Sequence, residues 1–133
     1  MKLKSSLFIL CLCLITGCST SKDTVEDQLD GSWNWIGSSG GIDGRTETPE
    51  TTGRIMELRF SKNILKKFNN GVLIQELPYN IQLKESIIFG EPRKMLIYKE
   101  QSKQSFIVKR DTLTIFNECY DCFVSKYKRS SLK

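Results

Sequence analysis

Short apolar runs with a period of two, broken every few residues by turn-forming clusters, constrain this chain more than any other feature. Met56, Leu58 and Phe60 alternate with Glu57, Arg59 and Ser61, the spacing that turns one face of a strand to a core and the other to water. Residues 64–68 and 72–77 flank Asn69-Asn70-Gly71. An Asn-Gly pair between apolar runs marks a hairpin, because both residues take positive φ readily. Further runs follow at 79–83, 87–89, 95–99, 105–109, 112–117 and 123–128, parted by Gly, Pro, Ser, Lys or Asp. No segment sustains the apolar stripe of a helix. The expected fold is therefore all-β, an antiparallel up-and-down meander of about eight strands that closes as a barrel and so removes its exposed edges. A two-sheet sandwich is the alternative that strand spacing leaves open.

The first eighteen residues have a different texture. Lys2 and Lys4 precede the apolar run 7–15, which ends in Thr16, Gly17 and Cys18. This order reads as the n-region, h-region and lipobox of a lipoprotein signal peptide, with Cys18 as the lipidated residue. The run is also short of the roughly 20 residues that a bilayer-spanning helix needs. Three parts are expected: a signal peptide over 1–17, a lipidated cysteine and polar tether over 18–30 with room for one helical turn, and a domain over 31–133. Cleavage of 17 residues from 133 leaves 116, enough for one core and not two. The partner implied is a membrane, reached through the lipid on Cys18. The place implied is the cell envelope, and the outer membrane within it, because Ser19 stands where the enteric retention signal has Asp.

Charge and cysteine usage narrow the chemistry. The formal charge is +5 including Lys2 and Lys4, and the basic residues are dispersed, which argues against nucleic acid as a partner. Cys11 and Cys13 fall in the signal peptide, so Cys119 and Cys122 remain as thiols. In an exported protein a close pair is first a disulfide candidate. An extended strand would hold their Cα atoms about 10 Å apart, whereas a tight turn at Tyr120-Asp121 would bring them under about 7 Å, so a bridge requires a hairpin tip. Free thiols are the other outcome. The chain has no histidine, and two cysteines alone fall short of a zinc site. Without histidine the common general base is missing. No carboxylate pair or phosphate-binding glycine loop stands out, since Gly40, Gly41 and Gly44 follow no apolar parallel strand. No catalytic residue, metal or cofactor is expected.

Residues 37–53, GSSGGIDGRTETPETTG, read as a long polar loop. Loops of that length in compact domains are usually functional or disordered. Two readings stand side by side: a lid over one barrel mouth, or a surface loop without a ligand role.

Gly31-Ser32-Trp33 resembles the G-x-W that opens the first strand of lipocalins, and Arg129, after the last run, stands where their basic residue packs on that tryptophan. The chain is more broadly similar to small lipocalin-like lipoproteins of Bacteroidetes type. The similarity rests on Trp33-x-Trp35, Ser39-Gly40-Gly41, Gly44, Thr48-Pro49, Gly53, Asp111-Thr112-Leu113, Cys119-x-x-Cys122-Phe123 and Tyr127-Lys128-Arg129. The T-D-Y motif of lipocalins has no counterpart. The resemblance implies a lipocalin-like barrel with Gly31, Trp33 and Arg129 as structural residues of its floor. Alternation turns Phe60, Phe106 and Phe123 inward, as candidates to line a ligand pocket or simply to pack a core. The expected role is a non-catalytic binding module for a small apolar or amphipathic ligand. The alternative is a protein-interaction module, such as an inhibitor of an envelope hydrolase, with a solid barrel. A hollow barrel predicts an apolar cavity, and a solid one predicts none.

Overall fold

The computed structural model describes residues 24–99 and 102–131. The expected signal peptide and its lipidation site Cys18 lie outside the described residues. The elements in chain order are α1 (Val25–Leu29), β1 (Gly31–Gly40), β2 (Arg45–Glu47), α2 (Pro49–Thr52), β3 (Met56–Ser61), β4 (Ile64–Asn69), β5 (Val72–Pro78), β6 (Asn80–Glu85), β7 (Pro92–Tyr98), β8 (Ser102–Lys109), β9 (Thr112–Asn117) and β10 (Val124–Arg129). All strand pairs are antiparallel.

Nine strands form one path, β5-β4-β3-β1-β10-β9-β8-β7-β6, and β2 hangs from the far half of β1. This is the expected up-and-down all-β sheet. It curls through 221° as a half-barrel, consistent with a lipocalin-like barrel. Local chemistry sets the turns: Asn70 and Gly71 both hold positive φ between β4 and β5, as the Asn-Gly pair predicts.

The ladder is interrupted between β5 and β6 for a simple reason. Only Tyr79 separates them, so they form one extended run whose first half pairs with β4 and whose second half pairs with β7. Consecutive halves of one run point the same way and cannot hydrogen-bond each other. Tyr79 anchors the pivot, buried and edge-on to Phe60 with ring centroids 5.4 Å apart.

Alternation delivers the core. Leu58 and Phe60 of β3, Leu65 of β4, Leu96 and Tyr98 of β7, Phe106 of β8, Leu113 and Ile115 of β9 and Tyr127 of β10 join Trp33 and Trp35 in one buried cluster. One end is sealed by α1. Its Thr24 capping box satisfies the first turn, and Leu29 is fully buried beneath the sheet. The second half of the expected tether is therefore part of the domain.

Two expectations are corrected. Residues 87–89 are not a strand: they lie in turns between β6 and β7, folded over the outer face. Met95, Ser105 and Phe116 share that face by register. Glu118 joins the fold-over to it, accepting from Ser86 Oγ (3.0 Å), Ser105 Oγ (2.5 Å) and the Ile87 N–H (2.8 Å). Apolar composition alone could not tell a strand from a segment packed on a second small core. Residues 37–53 are likewise not an irregular loop. They extend β1 to Gly40, turn through residues 41–44, return as β2 and close in the helical turn α2. Gly40 permits the turn: its φ is +141°, and a Cβ there would collide with the Cys122-Phe123 backbone.

Candidate functional site

The floor closes one end of the curled sheet. Trp33 is fully buried and donates from Nε1 to the Leu29 carbonyl at 2.8 Å. The Arg129 guanidinium lies over the Trp33 ring, 4.0 Å from its centroid. Its two Nη atoms donate to the carbonyls of Asp30 and Gln28, each at 2.7 Å. These are the last carbonyls around α1, where a cation is favoured by the helix dipole. Gly31 is at φ +117°, and a Cβ on it would stand 3.2 Å from Arg129 Nη1. The three residues therefore meet at one point.

Away from the floor the packed core leaves a small cavity. A cavity of about 170 Å³ is bounded by Met56, Leu58, Leu65, Phe68, Ile74 and Ile115, with Glu57, Lys67, Tyr98, Gln104, Ser125 and Tyr127 among its other walls. It is smaller than a usual drug-sized pocket of about 300 Å³ or more and near the roughly 150 Å³ that accommodates benzene. The walls come from β3, β4, β5, β7, β8, β9 and β10.

The polar groups around the cavity are unequally satisfied. Gln104 Nε2 donates to Asn117 Oδ1 at 2.5 Å. Ser125 Oγ lies 2.7 Å from Ser38 Oγ, which accepts from Trp35 Nε1 at 2.8 Å. Glu57 accepts from Arg59 Nε at 2.7 Å and Nη2 at 3.1 Å, and that bond holds its carboxyl below the usual range. Lys67 is different. It sits opposite Leu58 on the inward side of β4, with Nζ 5.7 Å from the Tyr98 ring centroid, and among the described residues no carboxylate pairs with it. Burial pulls its ammonium below the ordinary 10.5. Burial pushes the Tyr98 phenol well above its ordinary range and that of Tyr127 up to about 12, so both are neutral at physiological pH. The Tyr98 hydroxyl is buried and has no hydrogen-bond partner among the described residues.

This arrangement is suited to binding. The structure places the three expected pocket residues elsewhere. Phe60 packs on Tyr79 in the core. Phe106 is buried in the same core and borders a shallow depression with Val25, Gln28 and Leu83. Phe123, half-buried before β10, lies under the Arg45 guanidinium at 5.6 Å. None of the three lines the cavity, and no residue of 37–53 does. The one legible sign of the site was Lys67, a charge at the inward parity of Leu65.

Cys119 and Cys122 are joined as a disulfide, with Cα atoms 5.6 Å apart. The tight turn at Tyr120-Asp121 makes this possible, Asp121 taking φ +57°. Among the described residues no group of three or more His, Cys, Asp or Glu could hold a metal ion, and no helix is long and apolar enough to cross a membrane. Compared with family models, curated proteins and solved structures, the chain matches none of them.

Proposed function

We propose that this chain is a lipocalin-like lipoprotein, anchored through Cys18 to the cell envelope at the outer membrane, that holds a small apolar or amphipathic molecule without turnover. The observation that carries the reading is the cavity of about 170 Å³ between β3–β5 and β7–β10, walled mainly by aliphatic and aromatic side chains with a few polar groups. That mixture is what fixes a small ligand's position and orientation. The lipobox before Cys18 supports the anchor. Lipidation also keeps the binding module beside a reservoir of apolar molecules.

A second reading has its own observation. Val72, Leu73 and Ile74 of β5 are exposed on a strand whose outer edge is unpaired, a surface on which a protein partner could add a strand.

Native mass spectrometry with lipid extraction separates the two. The soluble chain from Ser19 onward, exported in its own host, is expected to carry a small molecule that Ile115→Trp, filling the cavity, displaces while the fold is kept. A clean apo mass would turn the search to protein partners. In the full chain, Cys18→Ala is expected to release the protein from the membrane fraction.

A further inference from the structure

An inward-facing lysine beside a largely apolar cavity calls for a counter-charge. The neighbours of Lys67 in the register are Leu65 and Asn69 on its own strand, Met56, Leu58 and Phe60 on β3, and Gln75, which pairs with it on β5; none of these carries a negative charge. Glu57 lies along the same wall, but its two oxygens are engaged by Arg59. The Tyr98 ring offers Nζ a face at 5.7 Å, a weak interaction compared with a carboxylate contact. An ammonium partly withdrawn from water, with no carboxylate beside it, is a poor stabilising element and a good anion receptor.

We propose that Lys67 is the head-group residue of the cavity, and that its ligand is a small monocarboxylate with a compact apolar body, the carboxylate on Lys67 Nζ and the body among Met56, Leu58, Leu65 and Ile115. This rests on the binding role proposed above and specifies the ligand class. The volume sets the size. A cavity of about 170 Å³ takes six to eight heavy atoms on the scale of about 150 Å³ for benzene, which excludes a long acyl chain lying wholly inside. The depressed pKa of Lys67 agrees with this placement, since burial is its cause.

The core and both ends of the sheet lie within residues 24–131, so the soluble chain from Ser19 onward carries the whole fold and serves for the test. Hexanoate and 1-hexanol share one chain and differ in head group. Titration of each, followed by amide and methyl NMR shifts, is expected to give binding of both at the cavity, with hexanoate at least about tenfold tighter. Lys67→Met keeps the apolar stem and removes the charge; it is expected to abolish that preference while leaving hexanol affinity within about twofold. Lys67→Arg, which keeps a cation, is expected to retain the preference. Equal affinities in the parent protein, or a preference that survives in Lys67→Met, would overturn the assignment of Lys67 and leave the binding role standing. Failure of both probes to shift cavity resonances up to the solubility limit of the alcohol would overturn the assignment and the binding role together.

Discussion

Lys67 and Arg129 are both cations beside an aromatic ring, and their surroundings separate their roles. Arg129 gives both Nη atoms to carbonyls and stacks on Trp33; planar, forked and fully engaged, it holds the floor together. Among the described residues Lys67 has the Tyr98 face and no carboxylate, and burial lowers its pKa. The unfolded chain therefore binds more protons than the folded one between the depressed value and 10.5, and stability rises with pH across that window. Below it the cost of keeping the charge in the cavity is fully present. Lys67→Met is expected to be more stable than the parent protein at about pH 7, with the gain shrinking as pH nears about 10. Urea midpoints of the two proteins across that range measure this, and the raised tyrosines cancel in the difference. A constant gain would mean that the ammonium is solvated.

Among the elements, the connection between β6 and β7 is the least expected. Ser86 and Glu118 are buried on the outer face, and the carboxylate accepts from two hydroxyls and one backbone N–H. Phe89 then meets Phe116 edge-on at 5.1 Å, with the Arg93 guanidinium 4.1 Å from its ring centroid. Glu118→Ala would leave two buried hydroxyls and a part-buried N–H unsatisfied, at an expected cost of about 3 kcal/mol in chemical denaturation, with Glu118→Gln recovering part of it. A cost below about 0.5 kcal/mol would show that water replaces the carboxylate. Cys119 follows Glu118 directly, so the disulfide tip and this latch brace the same end of β9. Neither touches the cavity wall, and both are read as scaffold for it.

For the whole molecule, the decisive feature is where the curl stops. The strands on either side of the break, β5 and β6, are mostly exposed, with Val72, Ile74 and Leu83 more than half accessible. β9 and β10 sit between two neighbours each and carry Leu113, Ile115 and Tyr127 inside. Amide hydrogen exchange is expected to be fastest, among the strands, in β5 and β6 and slowest in β9, β10 and β1. Uniform protection would indicate that the β5–β6 seam is covered in solution. Because Ile74 of β5 lines the cavity, a bound ligand is expected to slow exchange selectively in that strand.

Much of this architecture is legible in the sequence. Period-two alternation over 56–61, the Asn70-Gly71 turn and the absence of a helical stripe determined an antiparallel meander, because side-chain period and turn dihedrals are local properties. The residues of the floor could be named from Gly31, Trp33 and Arg129, and the disulfide could be made conditional on one turn. Which inward residues fill the barrel and which leave it hollow depended on register across seven strands. Phe60 and Lys67 share an inward parity, but only pairing between strands decides that one packs on Tyr79 and the other borders a cavity. The fate of residues 87–89 and 37–53 was likewise non-local: a buried carboxylate from β9 holds the first, and a close backbone approach at Cys122-Phe123 shapes the second. Alternation tells each residue its side of the sheet; only closure of the curl tells it what stands opposite.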